Sequence, residues 1–239
     1  MRKTASVGGP LSALLGLCVL SAWVAAQEPT RRPPTPRDAL IQSTTALAEG
    51  DEAQAFAAIL TTTDEQREFL RASMAFNKAG LRFRDAFLKT YGKTAWDKFL
   101  DPKQGPKGGH AKLNLLVKDE ILAKFKKLTI EEKGDNATGR VPGVPKPFKM
   151  KKVEGGWVLP FEGNFSGSFA PKGDNMPKLP EMSTKLREMA ATLGKFQKAI
   201  GQPGISADDI DIELARAMLR ILTGKATTDA PRFDINKIK

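Results

Sequence analysis

The sequence predicts an α+β fold in which N-terminal helices pack on a curved, cone-like antiparallel sheet and a C-terminal helical hairpin follows. Three observations carry that expectation. Lys126 to Phe161 alternates apolar and polar residues at the period of strands and is broken by glycine-containing turns. Long stretches on either side of it place apolar residues at steps of three and four, the mark of helices with one buried face. Finally, Gly201-Gln202-Pro203-Gly204 interrupts the second of these helical stretches and predicts an antiparallel hairpin.

The chain has 239 residues, 41% of them hydrophobic, which is enough for one domain with a substantial core plus appendages. Its first 26 residues read differently. Arg2 and Lys3 precede an apolar stretch, Leu11 to Ala26, ending in the small residues Val24-Ala25-Ala26. That is the order of a secretory signal peptide, so cleavage is expected after Ala26 and the protein is expected outside the cytoplasm, in a periplasm or beyond. A retained anchor is the alternative, although the apolar stretch is shorter than the roughly 20 residues of a spanning helix. Cys18, the only cysteine, lies in this segment. The exported part would therefore lack disulfides, thiolate nucleophiles and cysteine metal sites. Residues 27–36, QEPTRRPPTP, predict an extended linker.

The helix-plus-sheet domain is expected over 37–161. Asp38 to Glu49 carries Leu40 and Leu47 and ends at Gly50; Asp51 with Gln54, and Thr63 with Gln66, have the spacing of helix-capping pairs. The helix after Thr63 is expected to reach Tyr91, with Phe69, Phe76 and Phe83 at intervals of seven and Gly80 permitting a close approach or a bend. A short helical piece with Trp96 and Phe99 follows Gly92, then a polar loop over 101–112 that holds His110, the only histidine. Leu113 to Phe125 reads as a helix leading to the sheet. In the sheet, Leu128 and Ile130 alternate with Thr129 and Glu131, and Gly134-Asp135-Asn136 makes a turn. Phe148 and Met150 alternate with Lys149 and Lys151, Gly155-Gly156 makes a second turn, and Trp157, Leu159 and Phe161 share one strand face. A loop over 162–182, helices at Ser183–Ile200 and Ser206–Thr223, and a frayed tail over 224–239 complete the expectation.

The chemistry is as informative in what it lacks. No glycine-rich phosphate loop, nucleophile elbow, zinc pattern or dinucleotide fingerprint occurs, and no catalytic residue, metal ligand or cofactor is assigned. Asp208, Asp209, Asp211 and Glu213 stand where a helix N-terminus favours acids, without the glycine of a calcium loop. Asn136 and Asn164 each begin a glycosylation tripeptide. The formal net charge is +11, and +7 of it falls between Asp101 and Lys152. Lys124, Lys126, Lys127, Arg140, Lys149, Lys151 and Lys152 therefore form a candidate anion-binding surface, the plainer reading being a solvated lysine-rich face.

The order of a short helix, the Gly50-Asp51 break, a longer helix, then Gly134 to Thr138 (GDNAT) and Lys151 to Phe161 (KKVEGGWVLPF), resembles exported bacterial members of the nuclear transport factor 2-like superfamily over about residues 39–161. The resemblance implies a cone of curved sheet wrapped on helices. Its interior would be a pocket for a small apolar ligand, lined by Phe69, Phe76, Phe83, Tyr91, Phe148, Trp157 and Leu159. The catalytic constellation of that superfamily's enzymes has no matching motif here. The expectation is thus an exported, non-catalytic cell-envelope protein that binds a ligand or serves as a scaffold. The alternatives are a small-molecule enzyme with its pocket in the cone, and a binder of anionic polymers or acidic partners through residues 103–152.

Overall fold

The computed structural model describes residues 31–101, 113, 115–165, 178–224 and 231–238. The expected signal peptide, Cys18 and His110 lie outside the described residues. A compact unit begins at Arg32 and contains every described helix and strand.

Capping residues set the first helices. In α1 (Pro36–Glu49) the Thr35 side chain accepts from the Asp38 N–H, Pro36 fills the first helical position, and Gly50 at φ +75° ends the helix. Asp51 caps α2 (Glu52–Ala58) through the Gln54 N–H, and Thr63 caps α3 (Asp64–Leu100) through the Gln66 N–H. The two residues of β1 (Ile59–Leu60) lie between α2 and α3. Gly92, at φ +81° and ψ 173°, breaks α3 and folds its last turns back. Trp96 and Phe99 then stack on each other, ring centroids 5.0 Å apart, and meet Phe83 and Phe87. α4 (Lys118–Phe125) is shorter than the expected 113–125, because the backbone at Leu116 is engaged elsewhere.

The sheet has the order β1-β5-β4-β3-β2. Strands β2 (Thr129–Lys133), β3 (Asn136–Arg140), β4 (Phe148–Val153) and β5 (Gly156–Pro160) form an antiparallel meander, and β1 pairs parallel with β5. The α+β class is as expected. The sheet, however, is mixed and open, with β1 and β2 as its edges, where an antiparallel cone was expected. Gly134 at φ +60° is the first central residue of the β2–β3 turn. The β4–β5 turn is Glu154-Gly155, both at positive φ (30° and 79°), one residue earlier than expected. Gly156 is needed inside β5 instead, where a Cβ would fall 2.3 Å from that of Arg32. The Trp157 N–H donates to the Pro33 carbonyl at 2.8 Å, so the last residues of the expected linker are docked against the strand. Phe161 leaves the strand and opens a broken turn, α5 (Phe161–Asn164).

Two hydrophobic cores result. One joins α3 to α6 (Leu179–Ala199) and α7 (Ala207–Thr223) around Phe83, Phe87, Leu186, Leu193 and Phe196. The other joins α1 and α4 to the sheet around Leu40, Phe125, Met150, Trp157 and Leu159. Helix α1 contributes to both, through Ala46 and Leu47 to the first and Ala39, Leu40 and Ala48 to the second. No described helix is long and apolar enough to cross a membrane.

Residues 231–238, expected to be frayed, are docked on α6 and α7. Phe233 packs edge-on against Phe196 with centroids 5.9 Å apart. The Arg232 guanidinium reaches Asp209 at 3.1 Å, and the Arg232 N–H donates to Glu213 at 2.9 Å. Ser206, whose hydroxyl and backbone N–H both donate to the Asp209 carboxylate, and Arg232 hold Asp209 below its ordinary pKa. Its contribution to stability is therefore full above the ordinary carboxylate range and is lost as pH falls through the lowered value.

The polar centre of the fold is Asn77, 4% exposed on α3. Its Nδ2 donates to the carbonyls of Ala48 (3.0 Å) and Leu116 (3.1 Å), and its Oδ1 accepts the Leu116 N–H at 2.7 Å. Asn77→Ala would orphan three backbone groups, and a loss of roughly 2–4 kcal/mol in urea unfolding is expected; a loss under about 1 kcal/mol would show that the clamp is dispensable. At the second hairpin the expected change has the opposite sign. Glu154 is the one non-glycine residue at positive φ among the described residues, and its contact with Arg32 is 3.8 Å long with the Glu154 side chain 93% exposed. Glu154→Asn should raise stability by about 0.5–1 kcal/mol, because asparagine tolerates this conformation and an exposed ion pair contributes little. A lower midpoint in thermal unfolding would contradict that assignment.

Candidate functional site on the outer face of the sheet

The alternation of strand residues assigns each side chain to a face. Ala137, Gly139, Met150, Trp157 and Leu159 are buried and face α1. The approach is close at Gly139, where a Cβ would lie 3.1 Å from Met150 Cε and 3.4 Å from Leu40 Cδ2. The opposite face carries Glu131 and Lys133 on β2, Thr138 and Arg140 on β3, and Lys149 and Lys151 on β4. Register sets them in rows: Glu131, Thr138 and Lys149 form one, and Lys133, Asn136 and Lys151 the next.

All four cations of this face are exposed, and none of their side chains makes an ion pair among the described residues. Strand geometry puts Lys149 and Lys151 about 6–7 Å apart along β4, and Lys133 about 10 Å from Lys151 across two strands. Arg140 lies on the diagonal from Lys149 at about 7–8 Å. At such separations in water each pair repels by about 0.5 kcal/mol before salt screening, so the patch is tolerated, and an anion laid across it relieves several repulsions together.

The sequence-predicted surface is thus divided. Arg140, Lys149 and Lys151 share the outer face. Lys126 and Lys127 are exposed in the turn before β2, whose Thr129 pairs with Arg140, and so stand near that end of the patch without belonging to a strand face. Lys124 is on α4, and Lys152, in register with Trp157, belongs to the face that α1 covers, at its exposed end. Lys133 was missed, although it continues the parity of Thr129 and Glu131.

The residues expected to line a cone are not brought together. Phe69, Phe76 and Phe83 belong to the α3–α6–α7 core, whereas Phe148, Trp157 and Leu159 belong to the sheet core. Helix α1 contributes to both, with Leu40 fully buried and Leu47 6% exposed, and occupies the space that a cone interior would need. The Tyr91 hydroxyl donates to the Ile205 carbonyl (3.1 Å) and accepts from the Gly201 N–H (3.3 Å), fastening the α6–α7 connection. No cluster of acidic, histidine or cysteine residues suited to a metal ion occurs among the described residues.

Beside the patch, one rung of the ladder is completed by a side chain. Continuing the β4–β5 register places Lys149 opposite Pro160, which has no N–H to give. Asn164 supplies it from the side: its Oδ1 accepts the Lys149 N–H at 2.9 Å, while its Nδ2 donates to the carbonyls of Lys149 (2.9 Å) and Pro160 (2.7 Å). The nitrogen that a glycan would occupy is therefore already committed to the fold. Asn164→Ala removes the acceptor of the Lys149 N–H together with both donations. It should cost about 1–3 kcal/mol and speed amide exchange in β4, measured by hydrogen exchange; unchanged exchange at Lys149 would show that the bridge is not formed in solution. Comparison with family models, with curated proteins and with solved structures finds no match to this chain, so its function has to be read from the surface itself.

Proposed function

We propose that this chain is an exported, non-catalytic binding module of the cell envelope that attaches to an anionic polymer through the outer face of β2–β4. The observation that carries the reading is the set of four exposed cations, Lys133, Arg140, Lys149 and Lys151, with no ion-pair partner among the described residues and a single acid, Glu131, on the same face. Export is supported by the sequence of residues 1–26 alone. Three of the four cations are lysines, which bind as point charges and lack the fork with which arginine recognises one phosphate or carboxylate in a fixed orientation. Such a face suits repeated negative charge along a chain better than one precisely placed group. The aromatic side chains that would serve a catalytic cavity are spent on the two cores, and Tyr91 on the helical hairpin.

Binding to heparin, used as a model polyanion, should weaken steeply with salt. If all four cations engage, log K should fall with log salt at a slope of about −3 to −4, roughly a hundredfold between 50 and 200 mM, on the scale known for nucleic acids. Lys149→Glu combined with Lys151→Glu should abolish most of that affinity. The pair Lys78→Glu and Lys89→Glu, which changes net charge equally on exposed positions of α3, should leave most of it. Equal losses in both pairs, or binding indifferent to salt, would remove the sheet face from the proposal.

A further inference from the structure

The docked tail leaves a cleft of about 300 Å³ between itself, α6 and α7. One face of each helix lines it at helical spacing: Thr192, Lys195 and Phe196 from α6, and Glu213, Arg216 and Arg220 from α7. Phe233 and Ile235 of the tail form an apolar wall. The cleft holds three cations and two acids, Glu213 and Asp234, and so carries one net positive charge. Its acids are occupied. Glu213 takes Arg216 at 2.7 Å and the Arg232 N–H at 2.9 Å, and Asp234 accepts the Asn236 N–H at 3.0 Å. Its cations are less so: Arg220 has no side-chain partner among the described residues, and the Lys195 ammonium has only Asn236 Oδ1 at 3.4 Å. A second hollow of about 200 Å³ borders the same Lys195 and adds Lys198 beside Ile238.

We propose that this cleft binds a small organic monoanion, a carboxylate on an apolar body. The carboxylate sits between Lys195 and Arg220, and the body lies along Phe233 and Ile235. The volume is at the lower end of small-molecule sites and suits a ligand about the size of an aryl or branched short-chain acid. The net charge selects a monoanion over a phosphate dianion, which would also meet the carboxylates of Glu213 and Asp234. The site is separate from the sheet face and stands or falls independently of it.

The test is an amide chemical-shift titration of the full chain with 3-phenylpropionate and with its neutral amide. The acid should shift the amides of Thr192, Ala217 and Phe233 at millimolar concentration, and the amide should bind at least about tenfold more weakly, equivalent to about 1.4 kcal/mol. Lys195→Gln with Arg220→Gln should weaken the acid by a similar factor and leave the amide unchanged. Because Arg220 is exposed and its side chain has no hydrogen-bond or ion-pair partner among the described residues, Arg220→Gln alone gives a folded comparison should the double variant unfold. Equal binding of acid and amide, shifts only elsewhere on the protein, or acid binding unaffected by Arg220→Gln would overturn the proposal.

Discussion

Asn77 joins three parts of the chain that share no hydrogen-bonded ladder: the end of α1, the middle of α3 and the backbone at Leu116 that leads into α4. The apolar contacts around it are non-directional and would tolerate α1 sliding along α3. A buried amide with three bonds in fixed directions does not. The position of α1 matters because it supplies residues to both cores, so the clamp also sets where the sheet stands relative to the long helix. Gly80, one turn further along α3, allows the same join to close: a Cβ there would come within 2.2 Å of the Leu115 side chain. Polar bond and missing side chain act on neighbouring positions of one contact.

The basic face depends on that arrangement at one remove. Side chains on a strand are aimed by register, and the register of β4 is fixed on one side by β3 and on the other by β5. At Lys149 the second constraint would lapse, since Pro160 cannot donate, and the Asn164 side chain restores it. A one-residue slip of β4 would turn Lys149 and Lys151 into the core and expose Met150, at a cost far larger than any repulsion among lysines. The fold therefore holds like charges together on one face without depending on their mutual attraction to anything in the chain.

Much of this was legible in the residues. The pairs Asp51 with Gln54 and Thr63 with Gln66 cap helices where their spacing indicates, and Phe69, Phe76 and Phe83 mark a buried stripe because a repeat of seven keeps to one side of a helix. What escaped has a common cause: it depends on partners distant in sequence. Strand β1 has two residues, too few for a periodic signal, and exists because β5 offers an edge. The tail holds by Phe233 and Arg232 reaching α6 and α7, which no local pattern announces. The seven-residue stripe correctly indicated burial but not the partner, and α6 together with α1, rather than the sheet, covers it. Asn77 stands between Phe76 and Lys78, where no local pattern separates it from the polar face of the helix.

The two cation-rich places on the molecule differ in what surrounds the charge, and that decides which ligands each can hold. On the sheet the lysine ammonium groups stand in water, where each contact with an anion is weak and screened, so useful affinity requires many contacts along an extended partner. In the cleft, Lys195 and Arg220 border rings and aliphatic side chains. Part of the ligand's binding energy can come there from apolar burial, at about 25 cal/mol per Å², leaving a single charge to choose the orientation. A long polyanion gains nothing from the apolar wall, and a small aryl acid gains little from a flat lysine face. Under the two proposals the same preference for negative charge separates into two specificities, set by the dielectric and the shape of the surroundings and not by the kind of charged residue.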